Sequence, residues 1–195
     1  VLQEIKRKQS SFTACCLKRH AHVWMSLALS PFVVNMFTQG FRPEWNEAGA
    51  PPPFTKANKQ MNQEQSTTLL EECQVLLDQQ VLERIPEEQA YCVSGVFTVP
   101  KKDTNSHRMV VNLRPINEHV AYHHFKSETL QDVKQLIEKG DWMTTIDISS
   151  AFYHVPVHPS YRKYFQIRLP IANHPLSNCL CQFNAMPMGF CASPR

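Results

Sequence analysis

The chain has 195 residues, with 43% hydrophobic and 19% charged side chains and a formal net charge of +3. That length fits one domain, or one and a part, and that composition excludes general disorder. The charge is too small to name a partner, but it is unevenly spread. Residues 1–20 hold five basic groups against one acidic, residues 44–89 three against nine, residues 99–126 five against two, and residues 160–195 four against none. Basic charge thus brackets the region around Asp147, as an anionic ligand requires; ordinary surface charge is the plain alternative.

Seven cysteines, an odd number with no Cys-x-x-Cys spacing, argue against a disulfide framework and for a reducing compartment. His174, Cys179, Cys181 and Cys191 match no zinc spacing. Segment 21–37 is apolar, but Ser26, Ser30, Pro31 and Asn35 interrupt it, so it is too short and broken to span a bilayer. Lys18 and Arg19 ahead of it resemble the start of a signal peptide, yet no clean cleavage site follows. The expectation is no membrane partner and a location inside the cell, in cytoplasm or nucleus.

In chain order, residues 1–20 read as a polar, basic lead-in. From Ala21 to Phe41 an apolar pattern predicts one or two short helices around Pro31, the second starting at Ser30 and closing at Gly40. Residues 42–65 are Pro-rich and then Gln/Asn-rich, an extended linker or arm. Residues 1–65 are therefore read as lead-in and linker, and 66–195 as the main domain. A helix is predicted over 67–85, with a Thr68/Glu71 capping box, an apolar stripe of Leu69, Cys73, Leu76, Leu77, Val81 and Ile85, and a stop at Pro86.

Strands follow at Val93–Val99 and His107–Leu113, joined by a polar loop that carries Lys101 and Lys102. A period of two puts Arg108, Asn112 and Arg114 on one face. Such a hairpin is a cationic finger able to close over phosphates, or else an edge hairpin guarded by lysines. A second helix is expected after Ser127, with Leu130, Val133, Leu136 and Ile137 buried and Gly140 ending it.

A strand from Met143 to Ile148 would then deliver Asp147 to its far end, beside a small-residue turn of Ser149, Ser150 and Ala151. A carboxylate next to a backbone turn that a ligand can approach suits a metal and a phosphate; the plain alternative is a surface Asp capping a turn. His154 and His158 are four apart, but Pro156 and Pro159 exclude a helix there, and in extended chain they lie about 13 Å apart, too far to pair on a metal. Strands are also expected at Tyr161–Leu169 and Leu180–Asn184, separated by a loop over 170–179.

Three blocks carry a resemblance. They are Val99–Asp103 through Arg108–Asn117, then Ile146–Phe152, then Met186–Phe190 with Ala192, Ser193 and Pro194. Their order resembles the fingers and first half of the palm of a reverse transcriptase, an RNA-directed DNA polymerase. Tyr122–Leu130, with Lys139–Trp142, is similar to DIRS-type tyrosine-recombinase retrotransposons, and Trp24–Glu44 is similar to the lead-in of those elements.

The resemblance implies an α+β fold: an antiparallel palm sheet carrying Asp147, two helices packed behind it, and the finger hairpin over the front. It implies that Asp147 is a catalytic, metal-binding aspartate, with the Ile148 carbonyl helping to hold magnesium or manganese, two ions in the complete enzyme. Lys101 and Arg108 would contact the phosphates of the incoming dNTP. Ser149, Ser150 and Ala151 would cradle the triphosphate. Phe152 would be the gate against a ribose 2′-hydroxyl, and Met188 the floor of the nucleotide pocket. Arg114, Asn117, Gly189 and Pro194 would lie near the template. Partners implied are an RNA or DNA template with its primer, with RNase H and recombinase domains as expected neighbours in the full element.

The chemistry accounts for these residue types. A 3′-hydroxyl attacks an α-phosphate in line, two magnesium ions about 3.5–4 Å apart stabilise the attacking and leaving oxygens, and Lys and Arg offset the developing charge. Three departures stand out. Ser150 occupies a position where relatives often carry Asp, and Met188 one where they carry Phe or Gln. After Asp147 there is no Asp or Glu, and the further aspartates of a Tyr-x-Asp-Asp hairpin do not occur before Arg195. The expectation is a truncated enzyme whose isolated 195-residue chain does not polymerise DNA. The competing classes are a nucleic-acid-binding relic that is catalytically dead, and a structural fragment.

Overall fold

The computed structural model describes residues 12–27, 29–100 and 107–193, and a five-stranded sheet lies at its centre. The chain approaches this sheet through a 3₁₀ turn, Cys16–His20, and two short helices, α1 (Ala21–Ser26) and α2 (Pro31–Gln39). As expected, Ser30 caps α2, accepting from the Val33 amide at 3.4 Å, and Pro31 opens it. Gly40 closes it at φ +108°, where an added Cβ would lie 2.6 Å from the His158 nitrogen. That tight crossing lets Phe41 enter the core, with its amide donating to Pro156 O at 2.7 Å and its carbonyl accepting from the His158 amide at 3.0 Å.

The Pro-rich run is extended, as predicted, but it is fastened along its length. β1 (Phe54–Thr55) pairs in parallel with β3 (Cys92–Ser94). Asn58 donates to Arg168 O and accepts from the Val96 amide, each at 3.0 Å.

Helix α3 spans Gln63–Asp78 and differs from its prediction at both ends. Its capping box is Asn62 with Gln65, six residues before the expected Thr68. It ends at Asp78 because Gln80 turns at φ +61° and the next residues join the sheet. Val81 and Leu82 are buried, and β2 (Leu82–Arg84) pairs antiparallel with β7 (Leu180–Phe183). The helical spacing of Val81 and Ile85 was overridden by this pairing. Leu69, Leu70, Cys73 and Leu76 form the buried face of α3.

The single strand expected over 93–99 is two strands. β3 belongs to the main sheet, while β4 (Val96–Pro100) pairs only with β5 (His107–Val111), antiparallel from Val96↔Val111 to Pro100↔His107. Gly95 is the joint, and a Cβ there would lie 2.4 Å from Ala57 O. The hairpin tip, with Lys101 and Lys102, lies outside the described residues. Because β5 stops at Val111, Arg114 is not on its face; it begins α4 (Arg114–Asn117). Glu72 of α3 accepts from the Met109 amide at 3.0 Å and so ties the hairpin to the helix.

Two expectations fail between residues 121 and 149. The helix capped at Ser127 is instead α5 (Leu130–Lys134), five residues long and capped by Thr129 with Asp132. Its intended buried stripe faces solvent: Leu130 is 81% and Leu136 79% exposed. The strand expected at Met143–Ile148 does not form, and Asp147 sits in irregular, exposed chain. No described strand runs alongside to take its backbone hydrogen bonds, and Trp142, Met143 and Ile146 are exposed.

A 3₁₀ turn, Ala151–His154, returns the chain to the core. A second, Pro159–Tyr164, replaces the first half of the strand expected at 161–169, with Pro159 in its first turn and only Gln166–Arg168 forming β6. β7 follows within the expected stretch. The sheet order is β1-β3-β6-β7-β2, with β1/β3 and β3/β6 parallel, so it is mixed rather than antiparallel and does not carry Asp147. Buried Gln166 accepts from the Tyr91 amide at 2.7 Å and donates to Gln89 O at 2.9 Å, satisfying its amide inside the core. Phe165, Phe183, Phe190, Leu69 and Ile167 are fully buried around it, each contributing about 1.5–3 kcal/mol relative to exposure.

Candidate nucleic-acid interface

The turn Met186–Phe190 is fixed from both sides. Phe190 is buried edge-on against Phe165 at 5.0 Å and Phe41 at 5.8 Å. Gly189 takes φ +88°, a conformation glycine adopts without strain. On the outer side Asn117 uses both ends of its amide: Nδ2 donates to Gly189 O and Oδ1 accepts from the Cys191 amide, each at 3.0 Å. The last residue of α4 and a turn 72 positions later are thus joined by two hydrogen bonds. Arg114, one helical turn earlier, pairs with Glu118 at 3.3 Å and keeps its guanidinium exposed.

Beside this junction lies a cavity of about 330 Å3 lined by Phe41, Val120, Tyr122, Phe125 and Ala192, with Asn117 at its wall. Glu44 and His123 pair across its rim at 2.7 Å. Sequence reasoning missed this pair and Phe41, because they meet only after a chain reversal that no local pattern signals.

The second group is the turn Ser149–Phe152. Ser150 is left-handed, φ 55° and ψ 35°, and its carbonyl accepts from the Tyr153 amide at 2.9 Å. Ala151 and Ser149 are exposed and Phe152 is half-buried. Tyr153 anchors the turn; burial, then the nearby Glu72 and Cys73, push its phenol up to about 12, so it stays neutral at physiological pH. His154 follows, its Nε2 3.0 Å from Ser149 O and its Nδ1 2.6 Å from Cys16 Sγ. This contact with the lead-in had no sequence signal.

The remaining residues are scattered around these two groups. Arg108 is exposed on β5 opposite Val99, and Met188 is 52% exposed. Asp147 and Ile148 are exposed, and Asp147 has no hydrogen-bond or ion-pair partner among the described residues. Lys101 and Pro194 lie outside the described residues. The structure therefore joins Arg114, Asn117 and Gly189, keeps Ser149–Phe152 as one turn, and leaves Asp147 projecting into solvent.

Asp147 offers hard oxygen of the kind magnesium takes. Among the described residues, however, no group of three His, Cys, Asp or Glu side chains stands close enough to hold a metal ion. The described donors do not fit a complete magnesium site. His154 and His158 do not form one either, since His154 is engaged with Cys16 and Ser149, while His158 accepts from the Ser160 amide. Desolvation, then the nearby charges of Arg42, Arg162 and Lys18, hold His158 below the ordinary imidazole range.

Residues 99–195 match the reverse transcriptase (RNA-dependent DNA polymerase) family. The match begins at the end of β4 and covers Arg114, Asn117, the Met186–Phe190 turn and the Ser149–His154 turn, but not Phe41, Glu44 or Cys16.

Proposed function

We propose that this chain is the fingers and first palm portion of a retroelement reverse transcriptase, taking a primed RNA or DNA template and dNTPs. The observation that carries the reading is the Asn117 junction, where the side chain of one motif holds the backbone of another within the matched region. It fixes the exposed Met188–Gly189 turn near Arg114, a surface suited to a template strand contacted through phosphate and sugar. The Ser149–Ala151 backbone, with Arg108 and Lys101, is assigned to the dNTP phosphates, Phe152 to the sugar, and Met188 to the pocket floor. Gly189 and Pro194 are assigned to the template.

Asp147 with the Ile148 carbonyl would supply one side of a magnesium or manganese site, its other donors coming from outside the described residues. We assign Phe41 and β1–β3 to the same unit as the matched strands β6 and β7, a wider domain than residues 66–195, because β1–β3 share their sheet and Phe41 bridges Val157. The Tyr122–Leu130 and Lys139–Trp142 tracts support a DIRS-type element, with RNase H and recombinase neighbours. No described helix is long and apolar enough to cross a membrane.

Binding of a fluorescent primer–template by the 195-residue chain tests the reading. Affinity should fall steeply with salt, since phosphate contacts release counterions. Asn117→Ala should weaken it, while Asp147→Asn should leave it within about twofold of wild type, as an exposed carboxylate off the template path contributes little to binding. A flat salt response would sink the reading. The catalytically dead binding module is the second reading, favoured by the isolation of Asp147. It is separated by primer extension from a preparation containing the rest of the polymerase: Asp147→Asn should abolish synthesis if the site is live and change nothing if it is dead.

A further inference from the structure

We infer that Cys16 and His154 form a nucleophile–base pair, a modification site for soft carbon electrophiles such as haloacetamides and α,β-unsaturated carbonyls. The orientation follows from three contacts. Ser149 O can only accept, so His154 Nε2, 3.0 Å away, carries the ring proton and donates it. That leaves the Nδ1 lone pair facing Cys16 Sγ at 2.6 Å, and the thiol donates to it. Phe12 packs edge-on against the imidazole at 5.0 Å and 73°, fixing the ring plane. Nucleophile, base and the group that orients the base are therefore all in place, and they come from two separate stretches, the lead-in and the 149–154 turn.

The backbone explains why Cys16, and not its neighbour, has this role. Cys15 is left-handed at φ 60°, and its amide donates to Tyr153 O at 2.9 Å. That one bond sets the lead-in against the 151–154 turn so that the next residue of each, Cys16 and His154, meet. Cys15 itself turns inward, with Sγ 3.5 Å from Asn184 O, and burial raises its thiol above the usual range. Burial raises Cys73, Cys92 and Cys181 as well, so these thiols are inert cores by comparison. Cys16 is half-buried, open enough for a small electrophile.

In the step itself, His154 Nδ1 takes the thiol proton as sulfur attacks the methylene carbon of iodoacetamide. The S–C bond forms, the C–I bond breaks, and iodide leaves with the bonding pair; the imidazolium then returns its proton to water. The alkylated sulfur has no proton left to donate, and the added group stands against the ring that holds Ser149.

The test is the native 195-residue chain treated with limiting iodoacetamide, quenched at intervals, digested, and scored for each cysteine by mass spectrometry. Cys191, exposed and without a histidine partner among the described residues though partial burial of its thiol raises it too, is the internal reference, and urea removes that difference. Cys16 should react at least about tenfold faster than Cys191 in the folded chain and at a similar rate in urea, since general-base assistance needs the folded geometry. His154→Gln should bring Cys16 within about twofold of Cys191 and leave Cys191 unchanged. A native Cys16 no faster than Cys191 overturns the inference, as does a fast Cys16 indifferent to His154→Gln. The first comparison needs no variant and stands even if His154→Gln does not fold.

Discussion

Helix α3 and the 121–149 span carry nearly the same local instructions and end in different states. Each has a side-chain capping box and an apolar stripe. The α3 stripe meets β2 and the β4–β5 hairpin and runs to sixteen residues; the other, with no described surface to meet, yields five residues of helix and an exposed Leu130. Capping decides where a helix begins, but burial of its stripe decides how far it extends, because short helices are marginal alone. The candidate site is divided in a related way: its Asn117 junction sits at the surface but is fastened to the core through Phe190, whereas Asp147 has no such anchor among the described residues.

The contrast is easiest to break in the cores of the two helices. Leu69→Ala should destabilise the chain by about 3–4 kcal/mol in urea unfolding, through lost burial and a cavity, whereas Leu130→Ala should change it by less than about 0.5 kcal/mol. A comparable loss at Leu130 would mean that the span is packed and the distinction is wrong. Next in size, Gly40→Ala should cost about 2 kcal/mol, since the new Cβ meets His158 backbone at a φ that alanine avoids.

Asn117→Ala tests the anchored half of the site. It removes two hydrogen bonds and leaves the Gly189 carbonyl and Cys191 amide without their partner, so unfolding should show a loss of about 1–2 kcal/mol. The smallest effect belongs to the exposed helix. Hydrogen bonds from the Thr129 amide and hydroxyl hold the Asp132 carboxyl below the usual carboxylate range. Its folded pKa is depressed, so the cap's contribution is present above the ordinary Asp pKa and fades as pH falls through the lower, folded value. The Thr129 amide resonance should move over that acid interval in wild type and stay put in Asp132→Asn.

Much of the molecule was legible because the deciding interactions were local. Ser30, Pro31 and Gly40 bound α2 as their chemistry dictates, and the β4–β5 hairpin follows from two β-rich runs around a polar loop. The errors have a common cause in distant partners. Val81 and Ile85 match a helical stripe until β7, about a hundred residues later, claims Leu82–Arg84 between them as strand. Ile146 and Ile148 alternate as a strand should, but no described strand takes them up. For the site, the motifs named Arg114, Asn117 and Gly189, while their meeting through one amide group depended on the fold. Cys16 and Glu44 carried no signal, because their partners lie 138 and 79 positions away.

The order of strands in the main sheet also has a consequence in time. β1 and β3 can pair as soon as both leave the ribosome, but β3 needs β6 on its other side, and β2 waits for β7 at residues 180–183. Through the synthesis of roughly a hundred residues, at about 5–20 residues per second, β2 and β3 present unpaired edges with Leu82 and Val93 uncovered. Long-range pairing of this kind slows folding and leaves edges open to other chains. A nascent chain stopped near residue 150 would therefore be the form most in need of a chaperone, and completion of β7 the event that ends that need.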